Sequence, residues 1–224
     1  MDGLDNQDGS GVKIYEGPLA EARLLELGLT MEELVVAVLA AEMERRSCSP
    51  FAPSTAPGFK AWSAGFETLA ERKVGPEWVR TETKGLPRIL NPDTAIAVAI
   101  VSGDEGVGRR ASCPKSKTPR GAQSAFLVRS NEKQIYLPFV EGKKFRPLPA
   151  EVEEITYWLL LYSDGIANFR AELSLPVSIG EDRRLSGWNE RIILDIPDLT
   201  FPSQRRSDDE ETPFEAEVNI RPRT

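Results

Sequence analysis

Apolar positions recur at helical spacing through the first third of the chain and at strand spacing after Trp78. Leu19 to Gly28 reads as a short helix ended by a glycine, and Thr30 with Glu33 forms a capping box for a second helix reaching about Arg46. The interior of that helix, Leu34 to Ala41, is apolar on every face, which predicts burial between layers. Ser47 to Gly58 concentrates proline, serine and glycine and predicts a connection. Phe59, Trp62, Phe66, Leu69 and Ala70 then mark one face of a third helix that stops before Gly75-Pro76.

Strand signals follow. Trp78 to Thr83 alternates, Ile89-Leu90 precedes the turn sequence Asn91-Pro92-Asp93, and Ala95 to Val101 is a β-rich apolar run, together a hairpin or small meander. Ser102 to Gln123 carries glycines, prolines and bases and predicts a long loop with no packed element. Ile135 to Val140 reads as another apolar run. Ile155 to Tyr162, apolar at nearly every position, predicts a central strand covered on both faces, followed by an Asp164-Gly165 hairpin turn. In the returning strand Phe169, Ala171, Leu173, Leu175, Val177 and Ile179 alternate with Asn168, Arg170, Glu172 and Ser174, predicting one covered and one wet face. A third antiparallel strand runs from Trp188 to Ile196.

The expected fold is α+β, with N-terminal helices packed on a mainly antiparallel sheet, a long basic loop and disordered tails. Residues 1–13 form one tail, 14–202 a single domain (helices in 18–74, sheet in 77–197), and 203–224 an acidic tail. Length and composition fit this: 224 residues, 40% hydrophobic and 28% charged, give a sizeable core without staples. No apolar run spans a bilayer and residues 1–13 do not read as a leader, so the expected location is cytoplasmic, with no membrane partner.

Zero histidines remove Ser-His-Asp and Cys-His catalysis, imidazole bases and HExxH chemistry. Two cysteines, Cys48 and Cys113, cannot build a four-cysteine zinc site within one chain. Charge is the more informative pattern. The net −7 conceals a segment, 109–146, with ten bases and two acids. Its loop part carries Arg109, Arg110, Lys115, Lys117 and Arg120, the residues expected to contact a phosphate backbone without reading sequence. The bland alternative is a solvated loop, or one docked on the protein's own acids.

Other chemistry is thinner. Gly103, Gly106 and Gly108 are spaced GxxGxG rather than GxGxxG, with no following GKS or GKT, so a nucleotide site is disfavoured. Carboxylates alone can hold Mg²⁺, and Asp104 with the acid-x-lysine tripeptide Glu141-Gly142-Lys143 would suit a metal-dependent nuclease; Glu82-Thr83-Lys84 repeats the tripeptide. Cys113, among cations, reads as an exposed thiol, and Tyr157, Trp158 and Tyr162 read as core rather than base-stacking platforms.

The segments SGDEGVG, PKSKTPRG and YWLLLYSDGIANFRAELSLPVSIGEDRRLSGWNERIIL resemble uncharacterised bacterial proteins of plasmids and other mobile or accessory regions, over about residues 85 to 200. The resemblance implies an accessory context, where DNA processing and anti-phage defence are common, and transfers no activity, cofactor or site residue. The expectation is a non-enzymatic binding subunit of a nucleic-acid-handling or antiviral defence assembly, with nucleic-acid backbone and a protein as partners. No catalytic residue, metal ligand or cofactor is assigned. The alternatives are the carboxylate-metal nuclease of Asp104, Glu141 and Lys143, and a purely protein-binding subunit using the apolar helix, the aromatic helix or the tails.

Overall fold

The computed structural model describes residues 11–136, 154–165 and 168–197. Within them Lys13–Tyr15 forms strand β1, so the order begins at the end of the expected 1–13 tail and ahead of the first helix. Helices α1 (Pro18–Glu26), α2 (Met31–Arg46) and α3 (Ala56–Lys73) follow. The capping box at the start of α2 is present: Thr30 Oγ1 accepts from the Glu33 amide at 3.2 Å and Glu33 Oε2 accepts from the Thr30 amide at 2.9 Å. Such reciprocal capping satisfies two donors that would otherwise be orphaned. Gly65 lets α3 approach α2 closely, since a Cβ there would lie 3.2 Å from Ala41 Cβ.

Strands β2 (Val79–Thr83), β3 (Leu86–Asn91) and β4 (Ile96–Ser102) form the expected meander. Lys84 and Gly85, both at positive φ (51° and 74°), make the two-residue hairpin turn between β2 and β3. Asn91 Oδ1 accepts from the amides of Asp93 and Thr94, closing the next turn. Helix α4 (Ala122–Tyr136) then crosses to β5 (Ile155–Ser163), which pairs parallel with β4. β6 (Phe169–Ile179) and β7 (Leu185–Ile193) complete the antiparallel trio β5–β6–β7. The seven-stranded order is β1-β7-β6-β5-β4-β3-β2, with four antiparallel pairings and two parallel ones among the described residues, so β5 is central as expected. The class is α+β.

Alternation along the strands divides the core in two. Val98, Ile100, Tyr157, Leu159, Leu161 and Leu173 pack beneath α1–α3, whereas Ala99, Val101, Trp158 and Leu160 pack with Leu127 and Val128 of α4. Helices therefore cover both faces of the sheet. On the first face Glu190 accepts from the Tyr157 hydroxyl at 2.8 Å and from Arg23 of α1, and Glu42 of α2 accepts from Ser163 at 3.0 Å. Burial, reinforced by the Glu190 carboxylate, holds the Tyr157 hydroxyl well above its ordinary range, so it remains a donor.

The 102–123 stretch was expected to hold no packed element, yet α4 begins at Ala122, and Ile135, expected in an extended run, belongs to that helix. The buried stripe of α4 carries polar Ser124 and Asn131, which blurs its helical signature. The β6 face expected to be wet is covered: Glu172 and Ser174 are fully buried. The hairpin turn after β5 is longer than the expected Asp164-Gly165 pair, since the amide of Asp164 donates to the carbonyl of Asn168 at 3.0 Å. The acidic tail 203–224 and most of the 1–13 tail lie outside the described residues.

Asn131 replaces a missing strand hydrogen bond. Pro176 of β6 has no N–H to donate toward β5. The Asn131 amide fills the gap: Nδ2 donates to the carbonyls of Thr156 and Pro176, both at 2.9 Å, and Oδ1 accepts from the Thr156 amide at 2.8 Å. Replacing Asn131 by Leu leaves three buried backbone groups unsatisfied at about 1–3 kcal/mol each. Urea unfolding of Asn131→Leu is expected to show a loss of about 3 kcal/mol or more, with an unchanged m-value.

Candidate functional site

The loop from Gly103 to Gly121 forms a folded layer on the α4 side of the sheet. Gly103 pairs with Ser116 in an isolated bridge, the Lys117 amide donates to the Ser102 carbonyl at 2.8 Å, and Trp188 Nε1 donates to the Pro114 carbonyl at 2.9 Å. Val107 is fully buried in the core cluster beneath. Glu172 and Arg191 hold the layer from below. Ser174 pairs with Arg191 and Glu172 with Ile193 across β6 and β7, so Glu172 and Arg191 are diagonal neighbours on one face. Glu172 is 0% exposed and Arg191 2%.

The pair is bidentate: Arg191 Nε donates to Oε1 at 2.9 Å and Nη2 to Oε2 at 2.6 Å. The remaining valences reach outward. Glu172 Oε1 accepts from Ser174 at 2.7 Å and Oε2 from the Gly108 amide at 2.8 Å, while Arg191 donates to the carbonyls of Arg109 and Ser112. Gly108, at φ 68°, is also tight against Arg170, whose Cβ would stand 2.9 Å from an added Cβ. Arg170 donates to the carbonyls of Val107 and Glu105 and lies 4.5 Å over the Tyr162 ring. Glu172, Arg170 and Arg191 are residues that the sequence pattern missed.

The five expected phosphate contacts are divided by this arrangement. Arg109 and Lys117 are exposed and have no ion-pair partner among the described residues. Arg110 pairs with Glu16 at 3.0 Å and Lys115 with Asp182 at 3.2 Å, both near the surface. Arg120 turns partly inward; its amide donates to the Arg183 carbonyl at 2.7 Å, and burial pushes its guanidinium pKa down. The β6–β7 turn thereby brings Arg183 and Arg184 to the loop.

Catalytic alternatives gain nothing from the geometry. Asp104 Oδ1 accepts from the Gly106 amide at 3.0 Å, and its carbonyl accepts from Val107, so it shapes the turn. The Gly106 and Gly108 amides point to Asp104 and Glu172, leaving neither for a nucleotide phosphate. Glu141 and Lys143 lie outside the described residues. Glu82 pairs with Arg80 on edge strand β2, and Lys84 is the hairpin turn residue. Among the described residues no group of three or more His, Cys, Asp or Glu side chains could hold a metal. Cys113 is exposed, Cys48 is partly exposed, and neither is in a disulfide. Tyr157 and Trp158 are core residues.

A second surface lies across the sheet. Met43 and Phe59 are 61% and 65% exposed beside a groove of about 500 Å³ between α2 and α3, rimmed by Glu44, Glu67 and Glu71. No protein-family model matches the chain, and no curated protein or solved structure matches it either. No described helix is long and apolar enough to cross a membrane.

Removing one partner of a buried pair strands the other charge, which costs about 3–5 kcal/mol, whereas an apolar replacement of both is far milder. Chemical unfolding is expected to give Arg191→Met and Glu172→Leu each a loss in that range, with the double variant closer to the parent than either single one. Additive losses would contradict the coupling.

Proposed function

We propose that the protein is a non-enzymatic binding subunit that contacts the phosphate backbone of nucleic acid through the 103–121 layer. The observation that carries this reading is the inward use of the loop's polar backbone by Glu172 and Arg191, which fixes the loop while Arg109 and Lys117 are left exposed. A fixed basic surface loses little conformational entropy when it meets a phosphate chain. The Arg110–Glu16 and Lys115–Asp182 pairs do not block this, because exposed ion pairs are worth about 0–1 kcal/mol and exchange readily for a phosphate. Such contacts position a duplex or strand without reading its bases.

A protein partner is the second reading, favoured by exposed Met43 and Phe59 flanking the α2–α3 groove. The resemblance to accessory bacterial proteins fits either role within a DNA-handling or defence assembly.

Fluorescence anisotropy with labelled single- and double-stranded DNA and RNA across a salt series tests the first reading. Affinity is expected to fall steeply with salt, and Arg109→Glu with Lys117→Glu is expected to reduce the logarithmic slope on duplex DNA by about 2. An affinity that is absent at low salt, or unmoved by the charge reversals, would sink it. Mg²⁺-dependent cleavage in the same tubes would instead promote the nuclease.

A further inference from the structure

Strand β2 ends the seven-stranded sheet, and none of the described elements pairs with its outer side. The opposite edge, β1, is three residues long and offers little ladder to a partner. β2 is open: Val79 is 43% exposed, and Arg80, Glu82 and Thr83 are exposed as well. Its free backbone groups follow from Pro87. Glu82 stands opposite Pro87, which has no N–H, so the ladder bonds to β3 fall on the neighbouring pairs Thr81↔Arg88 and Thr83↔Leu86. The N–H and C=O of Arg80 and Glu82 therefore point away from β3, toward solvent.

The side chains beside those groups set what can meet the edge. Charges of one sign along an edge strand would repel a second copy. Arg80 and Glu82 are instead opposite in sign and on the same face, with Nη2 2.7 Å from Oε2. Turned about a twofold axis at Thr81, the strand meets itself with Arg80 opposite Glu82, Thr81 opposite Thr81 and Val79 opposite Thr83. The hydrogen-bonded pairs then fall on Arg80 and Glu82, the residues whose backbone is free. The other face of the strand holds Val79, Thr81 and Thr83, all β-branched and uncharged, which suit cross-strand pairing. A register two residues away would set Arg80 against Arg80 or Glu82 against Glu82. A recess of about 300 Å³ between α3 and this edge, lined by Trp62, Phe66, Glu67 and Glu71, leaves room beside the junction and adds acid to receive the partner's Arg80.

We infer that two copies of the chain associate through β2, antiparallel and centred on Thr81, and join their sheets into one. The axis is perpendicular to the sheet, so both copies present the 103–121 layer on the same side. The association stands independently of the phosphate contacts proposed above.

Sedimentation velocity of the full chain across a concentration series is expected to show a reversible dimer and nothing larger, since pairing consumes the edge. Arg80→Glu and Glu82→Arg are each expected to weaken it at least about tenfold, because like charges then stand opposite each other. An equimolar mixture of the two variants is expected to dimerise, and so is the double exchange, Arg80→Glu with Glu82→Arg, on its own. In a Cys48→Ser, Cys113→Ser background, Thr81→Cys is expected to form an intermolecular disulfide under mild oxidation and Thr83→Cys is not, since only position 81 faces itself. A parent that stays monomeric, single reversals that dimerise as well as the parent, a mixture that stays monomeric while both variants keep the parent's circular dichroism, or cross-linking at position 83 as readily as at 81 would each overturn the inference.

Discussion

The buried pairing of Glu172 with Arg191 is the interaction on which the upper face of this molecule depends. Two charges excluded from water must satisfy every lone pair and N–H they carry, or the arrangement fails. One another's fork uses only part of that capacity. The rest is met by Ser174, by the Gly108 amide and by the carbonyls of Arg109 and Ser112, so the charge pair dictates where the loop backbone lies. Its energetic weight relative to an apolar core is small; its consequence is positional.

The same logic recurs wherever polar groups are buried. Asn131 stands in for the N–H that Pro176 lacks, Glu190 joins α1 to β7 through Arg23 and Tyr157, and Glu42 ties α2 to the end of β5. Each device couples two elements that apolar packing alone would allow to slide. Arg120 departs from the rule, being partly buried without a counter-ion among the described residues.

The elements readable from the sequence are those whose signals are local. Thr30 and Glu33 sit three residues apart and announce α2; Ile155 to Tyr162 is apolar throughout and announces the central strand. Helix α4 escaped because Ser124 and Asn131 occupy its buried stripe. The covered face of β6 escaped because Glu172 and Ser174 look like solvent-facing residues until Arg191, 19 positions later, is known to lie beside them. The candidate site was legible as charge but not as geometry. Which cations are free depends on Glu16 and Asp182, 94 and 67 residues away from Arg110 and Lys115, and no periodicity connects residues so distant.

The most direct measurement of the central claim is native-state hydrogen exchange at the Gly108 amide, which sits in a loop yet donates to a fully buried carboxylate. If Glu172 and Arg191 fix the layer, that amide exchanges only with opening of the β6–β7 core and is protected nearly as well as the amides of those strands. Exchange at the rate of an ordinary surface loop, while β6 and β7 stay protected, would show that the layer moves independently of the pair and would contradict the account.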